Sequence, residues 1–254
     1  MLLSTASAVL ADEHPICADR PGLGTSTCTV PAGRWQVETG LADWTLDRHG
    51  GARDTVIVLG ETTIKYGLSD RSDIEVEVAP WLRETNHAGG LRESASGIGD
   101  VSVIYKHRLN RDGSPLEVSG YALVKAPTAK RSLGNGEWEG GLLLPIGYAI
   151  PGTPLSFGLT PELDWLADAD GHGHHAAMAQ VAGFGWQVSD RLALTGELRG
   201  QWDWDPAGTM RQYAAGASAA FLAGKDVQLD AGANFGLNRR TPDVEFYAGV
   251  SKRF

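Results

Sequence analysis

From Arg34 to Phe254, apolar and polar residues alternate with a period of two, the pattern of strands that have one greasy face and one wet face. Trp35, Val37 and Leu41 oppose Gln36, Glu38 and Gly40. In the second segment Val56, Val58, Ile64, Tyr66 and Leu68 oppose Glu61 and Lys65, and in the third Ile74, Val76, Val78 and Leu82 oppose Glu75, Glu77 and Arg83. The alternation continues through segments led by Val101, Leu116, Trp138 and Leu155. It then passes through an ambiguous stretch, Ala176 to Gln187, whose apolar face is either Ala177, Ala179 and Val181 or Met178, Ala182, Phe184 and Trp186. Segments from Leu192, Tyr213, Val227 and Val244 bring the total to twelve, an even number.

The connections alternate too. Short turns fall near 69–72, 110–114, 150–154, 189–191 and 223–226; longer ones are expected around 43–54, 83–98, 127–137, 167–175, 205–212 and 238–243. Tight turns at one end and long loops at the other are the asymmetry of outer-membrane barrels. Aromatic residues supply an independent test. With strands running up and down from a periplasmic start, Trp35, Tyr66, Tyr105, Tyr148, Phe157, Phe221 and Phe254 fall near one end. Trp138, Trp165, Trp202, Trp204, Tyr213, Phe235 and Phe246 fall near the other. Two girdles flanking an aliphatic band suit a bilayer, whereas a soluble sandwich would gather its rings at mid-strand. Unpaired backbone groups in hydrocarbon cost several kcal/mol each, so the last strand must pair with the first. The expected fold is all-β, a 12-stranded antiparallel transmembrane β-barrel over residues 34–254, placed in the bacterial outer membrane.

Composition narrows the function. Of 254 residues, 22 are Lys or Arg and 31 Asp or Glu, a formal charge of −9 without any basic cluster, so nucleic acid is excluded as a partner. No run of about 18 apolar residues exists for a membrane helix. Residues 1–11, ending Val9-Leu10-Ala11 before Asp12-Glu13, read as the remnant of a secretory signal with small or β-branched residues at the cleavage positions. Residues 12–33, polar and punctuated by Pro and Gly, form a periplasmic N-terminal segment and a candidate plug of the lumen. Export would place Cys17 and Cys28 in an oxidising compartment, where a disulfide closing that small loop contributes roughly 3 kcal/mol on a chain-entropy model; two free thiols are the alternative.

The wet faces carry the candidate lumen-lining charges: Glu38, Glu61, Lys65, Glu75, Glu77, Arg83, Lys106, Arg108, Lys125, Glu162, Asp164, Glu197, Arg199 and Asp230. With Glu117, Glu139, Asp203, Glu245 and Arg253 they amount to twelve acids against seven bases. Such a lumen favours cations or neutral solutes, unless the charges merely pair with one another across strands. Twelve strands enclose more than the eight of a side-chain-filled barrel and less than the sixteen of an open porin, so solutes would be small. His172-Gly173-His174-His175, after Asp168 and Asp170, holds metal donors but lacks the fixed spacing of a zinc site, and reads as a solvated loop. No metal or other cofactor is expected. Neither is catalysis: Gly216-Ala217-Ser218-Ala219-Ala220 is the nearest approach to a nucleophile elbow and lies in a strand of small residues.

Several stretches resemble the family of outer-membrane transporters named for the MetA pathway of phenol degradation. They are Asp19-Arg20-Pro21-Gly22, Thr29-Val30-Pro31-Ala32-Gly33-Arg34-Trp35-Gln36-Val37-Glu38-Thr39-Gly40, Tyr66-Gly67-Leu68-Ser69-Asp70-Arg71, Gly97-Ile98-Gly99-Asp100-Val101 and Leu229 to Asn238. The resemblance implies an outer-membrane channel with small hydrophobic or aromatic compounds as cargo. The terminal Phe254, closing an alternating strand, resembles the sorting signal read by the barrel-assembly machinery. The expected partners are therefore the bilayer, that machinery and a small-molecule solute. A structural or adhesive barrel without a pore is the alternative, and a lipid-modifying enzyme a more distant one.

Overall fold

The computed structural model describes residues 16–110 and 113–254; the expected signal remnant and residues 12–15 lie outside them. Sixteen hydrogen-bonded segments make twelve spans, because four spans are interrupted. The first is β1 (Trp35–His49). β2 (Ala52–Leu59) and β3 (Glu61–Ser69) form the second, β4 (Ser72–Val78) and β5 (Trp81–Ala88) the third, and β6 (Leu91–Gly97) and β7 (Val101–Arg108) the fourth. β8 (Leu116–Ala126) is the fifth, and β9 (Glu139–Leu143) with β10 (Ile146–Ala149) the sixth. β11 (Leu155–Ala167), β12 (His174–Ser189), β13 (Leu192–Asp203), β14 (Met210–Gly224), β15 (Val227–Gly236) and β16 (Val244–Arg253) complete the ring. Every pairing is antiparallel, and β16 closes on β1 from Gln36 opposite Arg253 to Leu46 opposite Val244. Phe254 adds a last backbone bond, its N–H donating to the Trp35 carbonyl at 2.8 Å. The chain is a closed 12-stranded barrel.

Burial is inverted relative to a soluble protein. Lys65 and Lys106 are the largest side chains that are fully buried among the described residues, followed by Gln36, Glu38 and Glu75. Leu142, Leu163, Leu198, Trp138 and Trp165 are more than half exposed on the outer wall, which is tolerable only where the surrounding solvent is hydrocarbon. Rings pair along the rims: Trp35 lies 4.6 Å from Tyr66 and Trp202 6.0 Å from Tyr213, while Trp44 stacks at 6.1 Å on Phe246.

Three readings of the sequence are corrected. The long connections expected at 43–54 and 83–98 are strands, turning at Gly50-Gly51 and Gly89-Gly90 in the left-handed region. Beyond the bilayer neither face must be apolar, so Asp47, Arg48, Arg53 and Asp54 abolish the alternation without ending the strand. The register also slips between Gly40 and Ala42, at Gly60 between β2 and β3, and at Ala79-Pro80 between β4 and β5. Each irregularity moves later side chains to the other face. Val56 and Val58 therefore pair with Thr45 and Asp43 on the lumen side. Arg83 pairs with Ile57, which pairs with Trp44 opposite Phe246, so Arg83 stands on the outside of the wall rather than in the lumen. The open choice in the eighth span resolves as well: Ala177, Ala179 and Val181 are buried inside, while Met178, Phe184 and Trp186 are exposed outside.

One glycine governs how the N-terminal segment leaves the ring. Gly67 of β3 exchanges bonds with the segment, its carbonyl accepting from Gly33 N–H at 2.8 Å and its N–H donating to Arg34 O at 3.0 Å. A Cβ there would sit 2.0 Å from Pro31 O. Gly67→Val is expected to lower stability by about 1–3 kcal/mol through overpacking while preserving the barrel. Urea unfolding in detergent checks this; an unshifted midpoint would refute the contact.

Candidate functional site

The inward face of β1, β3, β4 and β7 places charges where alternation requires side chains to look at the axis. The segment 16–33 adds partners to those that the wall supplies. Asp19 is contacted by both buried ammonium groups, Lys65 and Lys106, the latter at 2.7 Å. Lys65 also meets Glu38 at 2.6 Å and Glu75 at 3.7 Å. Glu38 in turn accepts from the Asp19 backbone N–H at 3.0 Å, and Gln36 accepts from Cys17 N–H at 3.2 Å.

The same segment reaches the opposite wall. Arg20 lies 3.2 Å from Asp230 of β15, in room left by Gly249, where a Cβ would approach the guanidinium to 2.5 Å. Leu23 and Gly24 donate their N–H groups to Glu197 of β13 at 2.7 and 3.0 Å. Thr27 donates to Glu117 of β8 at 2.5 Å, and Val30 N–H to Asp73 of β4 at 2.7 Å. Residues 16–33 thus lie inside the ring, bonded to strands on all its sides. Cys17 and Cys28 are joined by a disulfide that clasps the loop holding Asp19.

Cavities flank this crossing. One of about 250 Å³ opens between Leu23 and the β13–β16 wall, lined by Tyr213, Asn234, Arg199 and Glu245. Another of about 410 Å³ runs between residues 24–27 and the wall from β8 to β13, touching Glu117, Phe157 and Glu197. Their lining mixes apolar surface with hydrogen-bonding groups.

Among the charges expected to line the lumen, Glu38, Lys65, Glu75, Lys106 and Asp230 are buried within this network. Lys125 meets Asp100 at 3.0 Å and Glu139 at 2.9 Å. Glu162 and Asp164 share a face with Leu143 and Gly141 of β9, and Arg199 reaches Glu162 at 4.0 Å. Glu61 and Glu77 continue the inward face of β3 and β4, opposite Gly40 and Thr63, and Arg108 caps the Asp70 carbonyl at a turn. Arg83 alone is displaced to the other face. Tyr105, Trp138, Tyr148, Trp165, Trp204, Phe246 and Phe254 are exposed on the outer surface, as is Trp35; Tyr66 and Trp202 are half-buried beside other rings. The sequence reading missed Asp19, Arg20 and Asp73, whose roles come from a loop crossing strands far away in the chain.

A family model described as "Putative MetA-pathway of phenol degradation" matches residues 18–254. The chain belongs to that family. Among solved structures it is similar to the COG4313 outer membrane channel from Pseudomonas putida F1, with 16% identity, a TM-score of 0.71, and 92% of this chain and 99% of that one covered. The beta domain of the Bordetella autotransporter BrkA follows at 14% identity, TM-score 0.59, over 89% and 100%. The translocator domain of NalP from Neisseria meningitidis shares 15% identity, TM-score 0.54, over 89% and 90%. No curated relative matches the sequence. These likenesses establish the fold. Together with the lipid-facing wall, they place this member of the family in the bacterial outer membrane.

Lys65 tests the network directly. Lys65→Met removes the cation that Asp19, Glu38 and Glu75 share, leaving Lys106 on Asp19 but taking the ion-pair partner from buried Glu38 and Glu75, an effect of about 3–5 kcal/mol. The expected result is a lowered urea midpoint and faster proteolysis of residues 16–33, with β-content by circular dichroism retained. An unchanged midpoint and an equally protected segment would show that the ion cluster does not hold the segment.

Proposed function

We propose that the protein is a passive channel for small, largely hydrophobic or aromatic compounds, and that residues 12–33 plug its lumen. The family supports the cargo class, and the residues above support the mechanism. The observation that carries the reading is the crossing itself: Asp19, Arg20 and the Leu23-Gly24 backbone bind walls on opposite sides of the ring, with cavities on either side. A solute passing between those cavities must displace the stretch from Arg20 to Thr27.

That stretch is fastened by polar contacts rather than by apolar packing. Its bonds to Glu197 and Glu117 can be exchanged one at a time for bonds to water or to a solute hydroxyl. Gly22, at a φ of 121°, and Gly24 give the backbone freedom to swing aside, while Asp19 between two lysines and the disulfide keep the root of the segment in place. Excess acid on the inward face disfavours anions. The closing strand β16 would present itself to the barrel-assembly machinery. Catalysis forms no part of this reading.

Deletion of residues 12–33 is expected to raise single-channel conductance severalfold in planar bilayers, and to speed liposome swelling by small phenols more than by sugars or amino acids. Equal conductance with and without the segment would remove the plug. Absence of swelling by any solute in the deleted form would favour a barrel that serves structure alone.

A further inference from the structure

At the outer mouth, the polar run after β11 does not behave as one solvated loop. His172 is exposed, and His174 stacks on Trp165 with ring centroids 3.7 Å apart while its Nε2 meets Trp138 O at 2.8 Å. His175 turns the other way, into the barrel. Its side chain is 7% exposed, and its Nδ1 lies 2.8 Å from Asp168 Oδ1 and 3.6 Å from Asp205 Oδ2. Nε2, on the far side of the ring, faces Asp203 Oδ1 at 2.8 Å without completing a hydrogen bond.

These groups come from three elements that share no sequence motif: the turn after β11, the start of β12, and the end of β13 with the loop following it. Donor atoms of Asp168, His175 and Asp205 all lie within 4.8 Å of one another. Asp205 is held in position before any ligand arrives. Its carboxylate accepts from Ala169 N–H at 2.8 Å and Ala207 N–H at 2.6 Å, and these bonds keep its pKa below the ordinary carboxylate value. An open cavity of about 490 Å³, lined by His175, Asp203 and Asp205 and facing the outside, gives access.

We propose that Asp168, His175 and Asp205 form a binding site for a divalent first-row transition metal, with Asp203 orienting the imidazole from behind. Several features point to a metal rather than to a set of surface charges. One is an imidazole nitrogen converging with two carboxylate oxygens, a donor set that suits zinc and its neighbours better than magnesium or calcium. Another is the Asp203 carboxylate behind the ring, near enough that a small rotation of the imidazole would let Nε2–H donate to it and free Nδ1 from Asp168 to coordinate, the arrangement by which proteins raise the basicity of a histidine ligand. The third is burial of the ring beside an open cleft, which allows water to complete the coordination. Ligands held 2.0–2.2 Å from a tetrahedral zinc lie about 3.3–3.6 Å from one another, so binding would part Nδ1 from Asp168 by about half an ångström and leave its 3.6 Å separation from Asp205 nearly unchanged. The bound ion would tie the β11–β12 turn to the β13–β14 loop across β12 and stiffen one side of the entrance above the 250 Å³ cavity.

The test is isothermal titration of the refolded, disulfide-bonded protein in detergent with Zn²⁺, and with Mg²⁺ as a contrast. Co²⁺ serves as a visible-absorbance probe of imidazole and carboxylate coordination. One equivalent of Zn²⁺ should bind, weakened about 10- to 100-fold in His175→Asn and in Asp205→Asn, with Mg²⁺ giving no comparable heat. His172→Asn should bind as the unaltered protein does. Cold and heated gel mobility confirms that each variant is folded, and Asp168→Asn stands in should His175→Asn fail. No saturable heat, equal binding by the His175 and Asp205 variants, or loss on changing His172 would each overturn the site.

Discussion

A peptide group in hydrocarbon has no water to bond, and this constraint organises the molecule. It forces every N–H and C=O along the spans into a ladder that has no edge, so β16 must meet β1 and the final residue must bond to Trp35. Once the cylinder is closed, alternation has only one consistent reading: apolar side chains face lipid and polar ones face the axis. The lysines, glutamates and aspartates of the interior follow from that closure, and they create the demand that the N-terminal segment satisfies.

Ions buried inside a narrow ring are costly unless each finds a partner. The wall alone shares them unevenly, because β1 and β4 present Glu38 and Glu75 to the single Lys65 of β3. A peptide laid across the lumen brings Asp19 to two lysines, Arg20 to Asp230 and backbone N–H groups to Glu197 and Asp73. It does so with polar contacts that can be exchanged for water. The lumen is therefore crossed by a segment held through polar contacts rather than apolar packing.

The aromatic girdles and the number of spans were legible because the bilayer acts locally: each strand must satisfy it independently, so the signal repeats twelve times. Where the bilayer ends, the signal ends. Residues 43–54 and 83–98 continue as strands beyond it, yet their charges on both faces look like loop. Arg83 was misplaced for a related reason, since irregularities at Leu41, Gly60 and Ala79-Pro80 each reset the parity and leave no mark that a period-two count can see. The eighth span stayed ambiguous because Ala177, Ala179 and Val181 are apolar yet buried on the inward face, Val181 beside Gly24 of the N-terminal segment.

The order of charges and rings along the chain determined the closed barrel, its membrane and most of the inward-facing side chains, because these depend on the alternation within single strands and on a solvent that every strand meets alike. Only the tertiary structure decided which charges touch. Asp19 with Lys65 and Lys106, Arg20 with Asp230, and His175 with Asp203 and Asp205 are joined across tens to hundreds of residues. Their proximity is set by strand register and by the path of a loop, and neither quantity is written in the neighbourhood of any one residue.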